Sequence, residues 1–412
     1  MDTGNNAWIL TSTALVLLMT PGLALFYGGM VRAKNILNML MLNFWCMGVV
    51  PVVWVRLGFS FAFAPSFSDA GLLGNFDNIG FKDVGPSTEI VLFAAFQLTF
   101  AIITVALISG AITDRLRFVA WAVFVPIWSL LVYSPVAHWV FNGTGWLAER
   151  GALDFAGGTV VHINAGAAAL AFVLVLGRRR GWPGEGMSPH SLVLTMIGAG
   201  ILWFGWFGFN AGSALAADGL AIQAFMNTFL AAATAMVVWL IVERLRDGHA
   251  TSLGAASGVV AGLVAITPAA GFVGGMAPLA IGAAASICCY FAIQLKYRFR
   301  YDDSLDVVGV HLVGGLVGSV LIGLFADLAV NEGGADGLFF GGGLGLLGEQ
   351  LIASLSVLAF SFVATMIIVK VLDLVMGGVR VSEEVEQTGL DETQHSESGY
   401  SFGELGSMGR VG

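Results

Sequence analysis

Charged residues are scarce in this sequence, at 11% of 412 residues, whereas soluble domains average about 25%. A chain with so little charge cannot cover its whole surface with polar side chains, which excludes an ordinary water-soluble fold. Hydrophobic residues make up 57% of the chain, and the mean hydropathy is +0.85. The 56 glycines also suit membrane helices, whose backbones approach closely at small residues. The composition therefore predicts a protein embedded in a lipid bilayer.

Cysteine is also rare. The three cysteines, Cys46, Cys288 and Cys289, all lie in apolar stretches. Their spacing fits neither a metal site nor a disulfide framework, and it predicts buried, unreactive thiols. The sequence also lacks a nucleophile–base set, a phosphate-binding loop and a long basic run. We therefore expect no enzymatic activity, no metal or other cofactor, and no nucleic-acid partner.

Long apolar runs dominate what is present, and about 20 such residues cross a bilayer core. The first run is followed by Arg32 and Lys34 and not preceded by positive charge, so it predicts a retained helix and not a cleaved leader. The runs predict an all-α polytopic membrane protein with eleven transmembrane helices, at 8–30, 36–63, 89–113, 118–140, 158–177, 191–212, 220–242, 252–267, 275–295, 307–328 and 346–376.

The positive charges predict the orientation of these helices. With the N-terminus outside, the outer loops hold only Lys82 and Arg150, and fifteen of the remaining lysines and arginines fall inside. Positive charge accumulates in cytoplasmic loops. The pattern therefore predicts an N-terminus outside and a C-terminus inside, with the inside charges at Arg32, Lys34, Arg115, Arg117, Arg178, Arg179, Arg180, Arg244, Arg246, Lys296, Arg298, Arg300, Lys370, Arg380 and Arg410.

The fifth and tenth predicted helices begin alike. Asp154 precedes small residues and then His162, and Asp306 similarly precedes His311. Two successive units of five helices have opposite orientations, and such inverted repeats place a shared site near the bilayer midplane. We interpret residues 1–376 as a membrane domain of two inverted repeats, about 8–177 and 191–328, plus an extra eleventh helix at 346–376. Residues 377–412 form a predicted cytoplasmic tail.

Ionisable side chains inside membrane helices are functional candidates by default. His162 and His311 are the deepest, and their matched positions favour a functional site over simple helix packing. Asp154 and Asp306 lie at helix starts, where carboxylates cap free amides. That position leaves a structural role and a substrate role open for both.

Four strings closely resemble the Amt branch of the Amt/Mep/Rh ammonium transporters. They are ordered along the chain, and the resemblance covers about residues 8 to 395. The strings are Pro21-Gly-Leu-Ala-Leu-Phe26-Tyr27-Gly-Gly, Asp154-Phe-Ala-Gly-Gly-Thr-Val-Val-His162-Ile-Asn-Ala, Gly205-Trp206-Phe-Gly-Phe209-Asn-Ala-Gly-Ser213 and Asp306-Val-Val-Gly-Val-His311.

This resemblance implies a role for several side chains. His162 and His311 match twin histidines that line a narrow hydrophobic pore, and Phe100 and Phe209 match a phenylalanine gate. The implied recruitment site for the cation comprises Phe100, Phe141, Ser213 and Asp154. Further pore-wall or vestibule positions are implied at Phe26, Tyr27, Gln97 and Trp206, and Asp306 is assigned a structural role.

The resemblance further implies the activity and the partners. We expect an ammonium transporter or channel of the cell's inner (plasma) membrane that recruits ammonium, or methylammonium, and passes ammonia with a relayed proton. Family members are homotrimers, and the tail is expected to couple subunits and to help recruit a PII-type signal protein. An ammonium sensor that barely conducts and a neutral gas channel of the Rh type are the alternative functions. An acidic disordered tail is the alternative for residues beyond 395.

One position departs from the Amt pattern. The family usually has tryptophan three residues after the histidine that ends the fourth helix, whereas this chain has Phe141 after His138. Phenylalanine is the weaker cation–π partner, so recruitment should lose roughly 0.5–1 kcal/mol. We predict that Phe141→Trp lowers the ammonium concentration that gives half-maximal transport. An unchanged half-saturation concentration would contradict this interpretation.

Overall fold

The computed structural model describes residues 2–82, 84–85 and 89–400, and within these the regular structure is helical apart from two isolated β-bridges. Arg410, one of the predicted inside charges, lies outside the described residues. The main helices are α1 (Thr3–Met30), α2 (Ala33–Phe63), α3 (Glu89–Ile112), α4 (118–141), α5 (Gly158–Leu176), α6 (Leu192–Gly212), α7 (Gly219–Asp247), α8 (Ser252–Ile266), α9 (Ala277–Phe299), α10 (Val308–Phe325) and α11 (Gly345–Val375).

Each predicted membrane span coincides with one of these helices. In the described part of the chain, ten helices are long and apolar enough to cross a membrane, and α8 is a shorter apolar helix. The all-helical membrane fold is thus confirmed, whereas the count of eleven crossings and the orientation stay predictions. Cys46 and Cys289 are buried as expected, but the prediction for Cys288 is wrong because its side chain lies on the outer surface of α9.

Glycines let α1 and α6, the first helices of the two predicted repeats, pack in close contact. A Cβ on Gly198 would lie 2.2 Å from the backbone nitrogen of Phe26, and one on Gly205 would lie 2.3 Å from Met19. In bilayers, where apolar side chains gain little by leaving lipid, such close backbone packing holds helices together. Small side chains are therefore required along this face of α6.

A second close pair consists of α5 and α10, and their contact is reciprocal. Both helices begin with a π-helical segment, Gly158–Ile163 in α5 and Val308–Leu312 in α10. The π-helical start of each helix packs on the α-helical body of the other. The contact between the two histidine-bearing helices is therefore symmetric, and the division of the chain into two inverted repeats stays a prediction.

Buried ion pairs join the loops at one end of the bundle, which we call the basic end (loops 31–35, 113–117, 177–191, 248–251 and 300–307). Arg179 donates to Asp302 at 2.9 Å, and Arg115 donates to the Asp302 carbonyl oxygen at 2.5 Å. Burial alone would raise the pKa of Asp302, but hydrogen bonds and charge from Arg179 and Arg115 hold it below its ordinary value. These pairs lock the helix ends together.

The tail contacts this same end through residues 379–400. Val379 and Val381 exchange backbone hydrogen bonds with the 115–117 loop. Further along, the Asp391 carboxylate accepts from the Leu37 and Asn38 amides at the start of α2, at 3.1 and 2.8 Å. The Tyr400 hydroxyl lies 2.8 Å from Nε2 of His190, so the tail contacts this end as far as residue 400, and residues 401–412 lie outside the described residues.

We predict that Gly198→Val destabilises the protein because the new side chain collides with the α1 backbone. Overpacking of this kind costs about 1–3 kcal/mol or more. Gly200→Val is the matched control, since a Cβ there meets nothing within 4 Å. Thermal unfolding in detergent should show a lowered midpoint for Gly198→Val only. Equal midpoints for the two variants would contradict the close packing of α1 and α6.

Candidate functional site

The two predicted histidines meet in the middle of the bundle. The Nδ1 atoms of His162 and His311 lie 3.2 Å apart, and their ring planes are 22° from parallel. Both side chains are almost fully buried, and the Nε2 atom of His162 is buried without a hydrogen-bond partner among the described residues. A hydrogen bond between the two Nδ1 atoms requires one ring to donate and the other to accept.

Two glycines set the distance between these rings. Gly166 lies four residues after His162, and a Cβ there would come within 2.5 Å of the Leu312 backbone nitrogen. Gly315 lies four residues after His311, and a Cβ there would lie 2.9 Å from the Gly158 carbonyl oxygen and 3.1 Å from His162 Cβ. Each helix thus presents a glycine at the point where the other carries its histidine.

The predicted gate is closed by ring stacking. The centroids of Phe100 and Phe209 are 4.2 Å apart with planes 20° from parallel, and Phe96 packs edge-on against Phe100 at 4.9 Å. Phe209 also lies 6.3 Å from the His162 ring. The gate is therefore directly next to the histidine pair, on the His162 side.

Cavities on the two sides of His311 differ sharply in size. The passage between the gate and the histidines has a volume of about 10 Å³, close to the least space that holds one water. It is lined by His162, His311 and apolar or aromatic side chains, including Met19, Leu23, Ile103 and Leu202. A cavity of about 200 Å³ extends from His311 to the basic end. The site is thus a narrow, mostly apolar cavity, which we call the conduit, and it adjoins a wider cavity at the second histidine.

The predicted pore-wall residues divide between these two cavities. Trp206 stacks on the His162 ring at 5.6 Å and donates its indole N–H to Thr267 at 2.8 Å, so it lines the narrow passage. Phe26 lines both cavities, whereas Tyr27 lines the wide one. Gln97 is buried in α3, and its Oε1 atom has no partner among the described residues.

Two of the predicted recruitment residues, Ser213 and Phe141, lie outside the stacked phenylalanine pair. The Ser213 hydroxyl donates to the Phe209 carbonyl oxygen at 2.8 Å, so it lies one helical turn beyond the gate. Phe141 is half-buried, and among the described residues no ring pairing joins it to the gate phenylalanines. Trp139 donates to the Leu72 carbonyl oxygen and packs on Phe360. A tryptophan at position 141 would offer an indole N–H that phenylalanine lacks, and Trp139 does not replace it because its own N–H is already paired.

Asp154 is a helix cap with an unusually full set of donors. Its carboxylate accepts from the amides of Gly157, Gly158, Thr159 and Val160, and also from the Thr159 hydroxyl. Burial raises the pKa of Asp154, and these hydrogen bonds partly offset the shift. The carboxylate fixes the start of α5 and thereby the position of His162.

The corresponding cap of α10 is Asp303, and the prediction that Asp306 fills this position is wrong. Asp303 accepts from the amides of Val307 and Val308, at 3.1 and 2.7 Å. Asp306 instead pairs with Lys296 at 2.6 Å. Asp303 precedes His311 by eight residues, the same interval that separates Asp154 from His162. That equal spacing is the sequence signal that would have identified Asp303.

The fold and the site define an integral membrane protein with an apolar, histidine-lined conduit, and comparison with known proteins identifies its family. Residues 7–400 match the Ammonium Transporter Family. An ammonium transporter of Mycobacterium bovis is 51% identical over 97% of this chain and 91% of its own length, and one of Bacillus subtilis is 47% identical over 97% and 99%. The chain therefore belongs to this family of transporters, which are not enzymes.

Solved structures agree with this assignment. Saccharomyces cerevisiae Mep2 is 36% identical, with a TM-score of 0.87 over 93% of this chain and 91% of that one. A protein described as a Sensor Amt Protein is 29% identical, with a TM-score of 0.87 over 95% and 98%. The same fold thus occurs in a protein described as a sensor.

We predict that Asp154→Asn destabilises the protein by about 1–3 kcal/mol. The donors that bind the two carboxylate oxygens of Asp154 would have only one side-chain oxygen to bind in asparagine. Asp218→Asn is the matched control, because Asp218 caps α7 through a single bond from Ala221. Asparagine caps nearly as well as aspartate, so the control should lose less than about 0.5 kcal/mol. Unfolding midpoints in detergent test this comparison, and equal shifts for the two variants would contradict it.

Proposed function

We propose that the protein conducts ammonium across the cell's inner (plasma) membrane by binding the cation at an outer vestibule, deprotonating it and passing ammonia along the conduit. The observation that carries this proposal is the pair of touching imidazoles at the narrowest part of an otherwise apolar passage. The chain's membership of an ammonium transporter family supplies the substrate class.

Dehydration of the cation is the main energetic problem. An unpaired charge in an apolar medium costs many kcal/mol, and the passage of about 10 Å³ leaves no room for a hydration shell. Burial lowers the pKa of an ammonium group of the lysine type by up to about 3–5 units, because the charged form is disfavoured away from water. Loss of the proton therefore offers a cheaper route through the conduit than transfer of the bare cation.

Recruitment in this proposal falls to the residues on the outer side of the gate. The faces of Phe100 and Phe141 attract a cation, and the Ser213 oxygen can accept a hydrogen bond from it. Asp154 acts through the α5 start that it caps, because its oxygens are occupied by backbone and hydroxyl donors. Ammonia then passes when the Phe100 and Phe209 rings separate.

The histidine pair provides the route for the proton. The free Nε2 of His162 accepts a proton while its Nδ1–H passes one to Nδ1 of His311, and His311 releases a proton from Nε2 into the wide cavity. Both rings end in the opposite tautomer, so they must be reset before the next proton. A relay of this kind makes transport electrogenic.

Assembly and regulation complete the proposal. We assign the protein a homotrimeric state with a conduit in each subunit and an N-terminus outside the cell. The contact of the tail with the basic end supports a cytoplasmic position for that end and a site where a PII-type signal protein could bind.

A sensor that binds ammonium with little conduction is the second candidate, and the likeness to a protein described as a sensor favours it over a neutral gas channel of the Rh type. Conduction distinguishes the sensor from the transporter. A sensor would bind ammonium measurably in calorimetry and give no ammonium-dependent current.

We predict that the double variant His162→Ala, His311→Ala reduces the ammonium-dependent current by roughly tenfold or more. No other group then carries the proton through a region where charge is costly. Current across proteoliposomes on solid-supported membranes is the measurement. His249→Ala, an exposed histidine of the 248–251 loop, is the matched control. An unchanged current in a folded double variant would contradict the relay.

A further inference from the structure

A charged pocket lies at the basic end, where the tail meets the helix bundle. It has a volume of about 270 Å³ and is lined by Arg32, Lys34, Arg180, Glu185, Glu386 and Gln387. None of these residues lines the conduit or the wide cavity below His311. The pocket is therefore a separate site, independent of the proposed transport function.

The pocket contains more positive charge than its carboxylates balance. One of the two carboxylates, Glu386, is already paired with Arg380 at 2.8 Å and also accepts from the Arg180 amide at 2.8 Å. Of the three cationic side chains, Arg32 also lies 3.3 Å from Asp114, so Lys34 and Arg180 share Glu185. The electrostatics of the pocket favour an added anion.

Arg32 provides an independent indication of a missing partner. Its Nε and Nη2 atoms are shielded from solvent and have no hydrogen-bond partner among the described residues. Asp114 lies 3.3 Å from Nε, but it is not aligned to accept from it and instead accepts from Asn35 and Arg179. Buried donors left unpaired cost about 1–3 kcal/mol each, so an anion that accepts from this guanidinium would be favoured.

The other two cations also have donors to spare. Lys34 donates to the Gln387 carbonyl oxygen, which leaves two of its three ammonium hydrogens free. The Arg180 side chain is exposed, and its guanidinium makes no hydrogen bond within the described residues. A tetrahedral oxyanion matches this set, because a guanidinium fork binds two of its oxygens and an ammonium group binds a third.

We propose that this pocket binds a phosphate-class anion, supplied by a soluble phosphate or by the headgroup of an anionic lipid. Arg32 precedes α2, Arg180 follows α5, and Gln387 belongs to the tail, so one anion contacts three separate segments. Its charge offsets the repulsion among the three cations, and the side-chain amide of Gln387 can donate to it, which links the tail to the bundle. The bound anion therefore protects the tail from proteolysis.

The test uses the full-length protein in neutral detergent. Potassium phosphate is titrated against potassium chloride at equal ionic strength, and cleavage of the tail by a glutamate-specific protease is followed over time. Phosphate should slow cleavage saturably, and Arg32→Gln should weaken this protection roughly tenfold or more, since charge-assisted hydrogen bonds are the strong ones. Arg180→Gln should weaken the protection in the same way. Because the Arg180 side chain is exposed, this variant should fold normally, so it tests the proposal even if Arg32→Gln fails to fold.

A matched control variant excludes non-specific charge effects, and a second arm of the experiment distinguishes the two sources of the anion. Arg298→Gln removes an exposed cation of the same end that lies outside the pocket and should change nothing. A parallel arm uses nanodiscs of phosphatidylcholine with and without phosphatidylglycerol. Protection by free phosphate assigns a soluble ligand, and protection by phosphatidylglycerol alone assigns a lipid headgroup. No protection by either, or an equal loss in Arg298→Gln, would overturn the proposal.

Discussion

The reciprocal contact between α5 and α10 is the constraint on which the site depends. Gly166 and Gly315 admit the opposing helix at the level of the histidines, and the π-helical starts of both helices turn His162 and His311 towards each other. The Asp154 and Asp303 carboxylates hold those starts in place through backbone amides. A larger side chain at either glycine would separate the rings and break the Nδ1–Nδ1 contact, even though every residue lining the conduit remained.

The proposed function accounts for the mostly apolar lining of the narrow passage between the gate and the histidines. Burial of an unpaired charge costs many kcal/mol, so a conduit that admits only a neutral molecule needs apolar walls and a separate path for the proton. Two imidazoles meet both requirements, since each is neutral while it can donate and accept. In the proposed mechanism, the phenylalanine gate and the narrow passage exclude water on one side of the histidines, and the wide cavity receives ammonia and the proton on the other.

The sequence was a reliable guide to whatever depends on hydrophobic runs and on matched motifs. Apolar runs predicted the helices, and the matched Asp–His motifs of two helices predicted the paired histidines, whereas the contact of Phe100 with Phe209 was implied only by the family resemblance. It failed where geometry between segments decides the outcome. Asp306 lies nearer to the helix start than Asp303, but Lys296 on a neighbouring segment pairs with it and leaves the amides to Asp303. Three further features depend on which helix faces which: the exposure of Cys288, the close contact of α5 and α10 at Gly166 and Gly315, and the charged pocket between the tail and the bundle. A run of apolar residues carries no information about such contacts.

The central claim is that the histidine conduit moves net charge when ammonium crosses. The most direct test is the current from wild-type protein in proteoliposomes on a solid-supported membrane after an ammonium concentration jump, with the lumenal pH recorded at the same time. The account predicts a saturable current that empty liposomes lack. A pH change driven by ammonia without any current would contradict it and indicate conduction of the neutral gas.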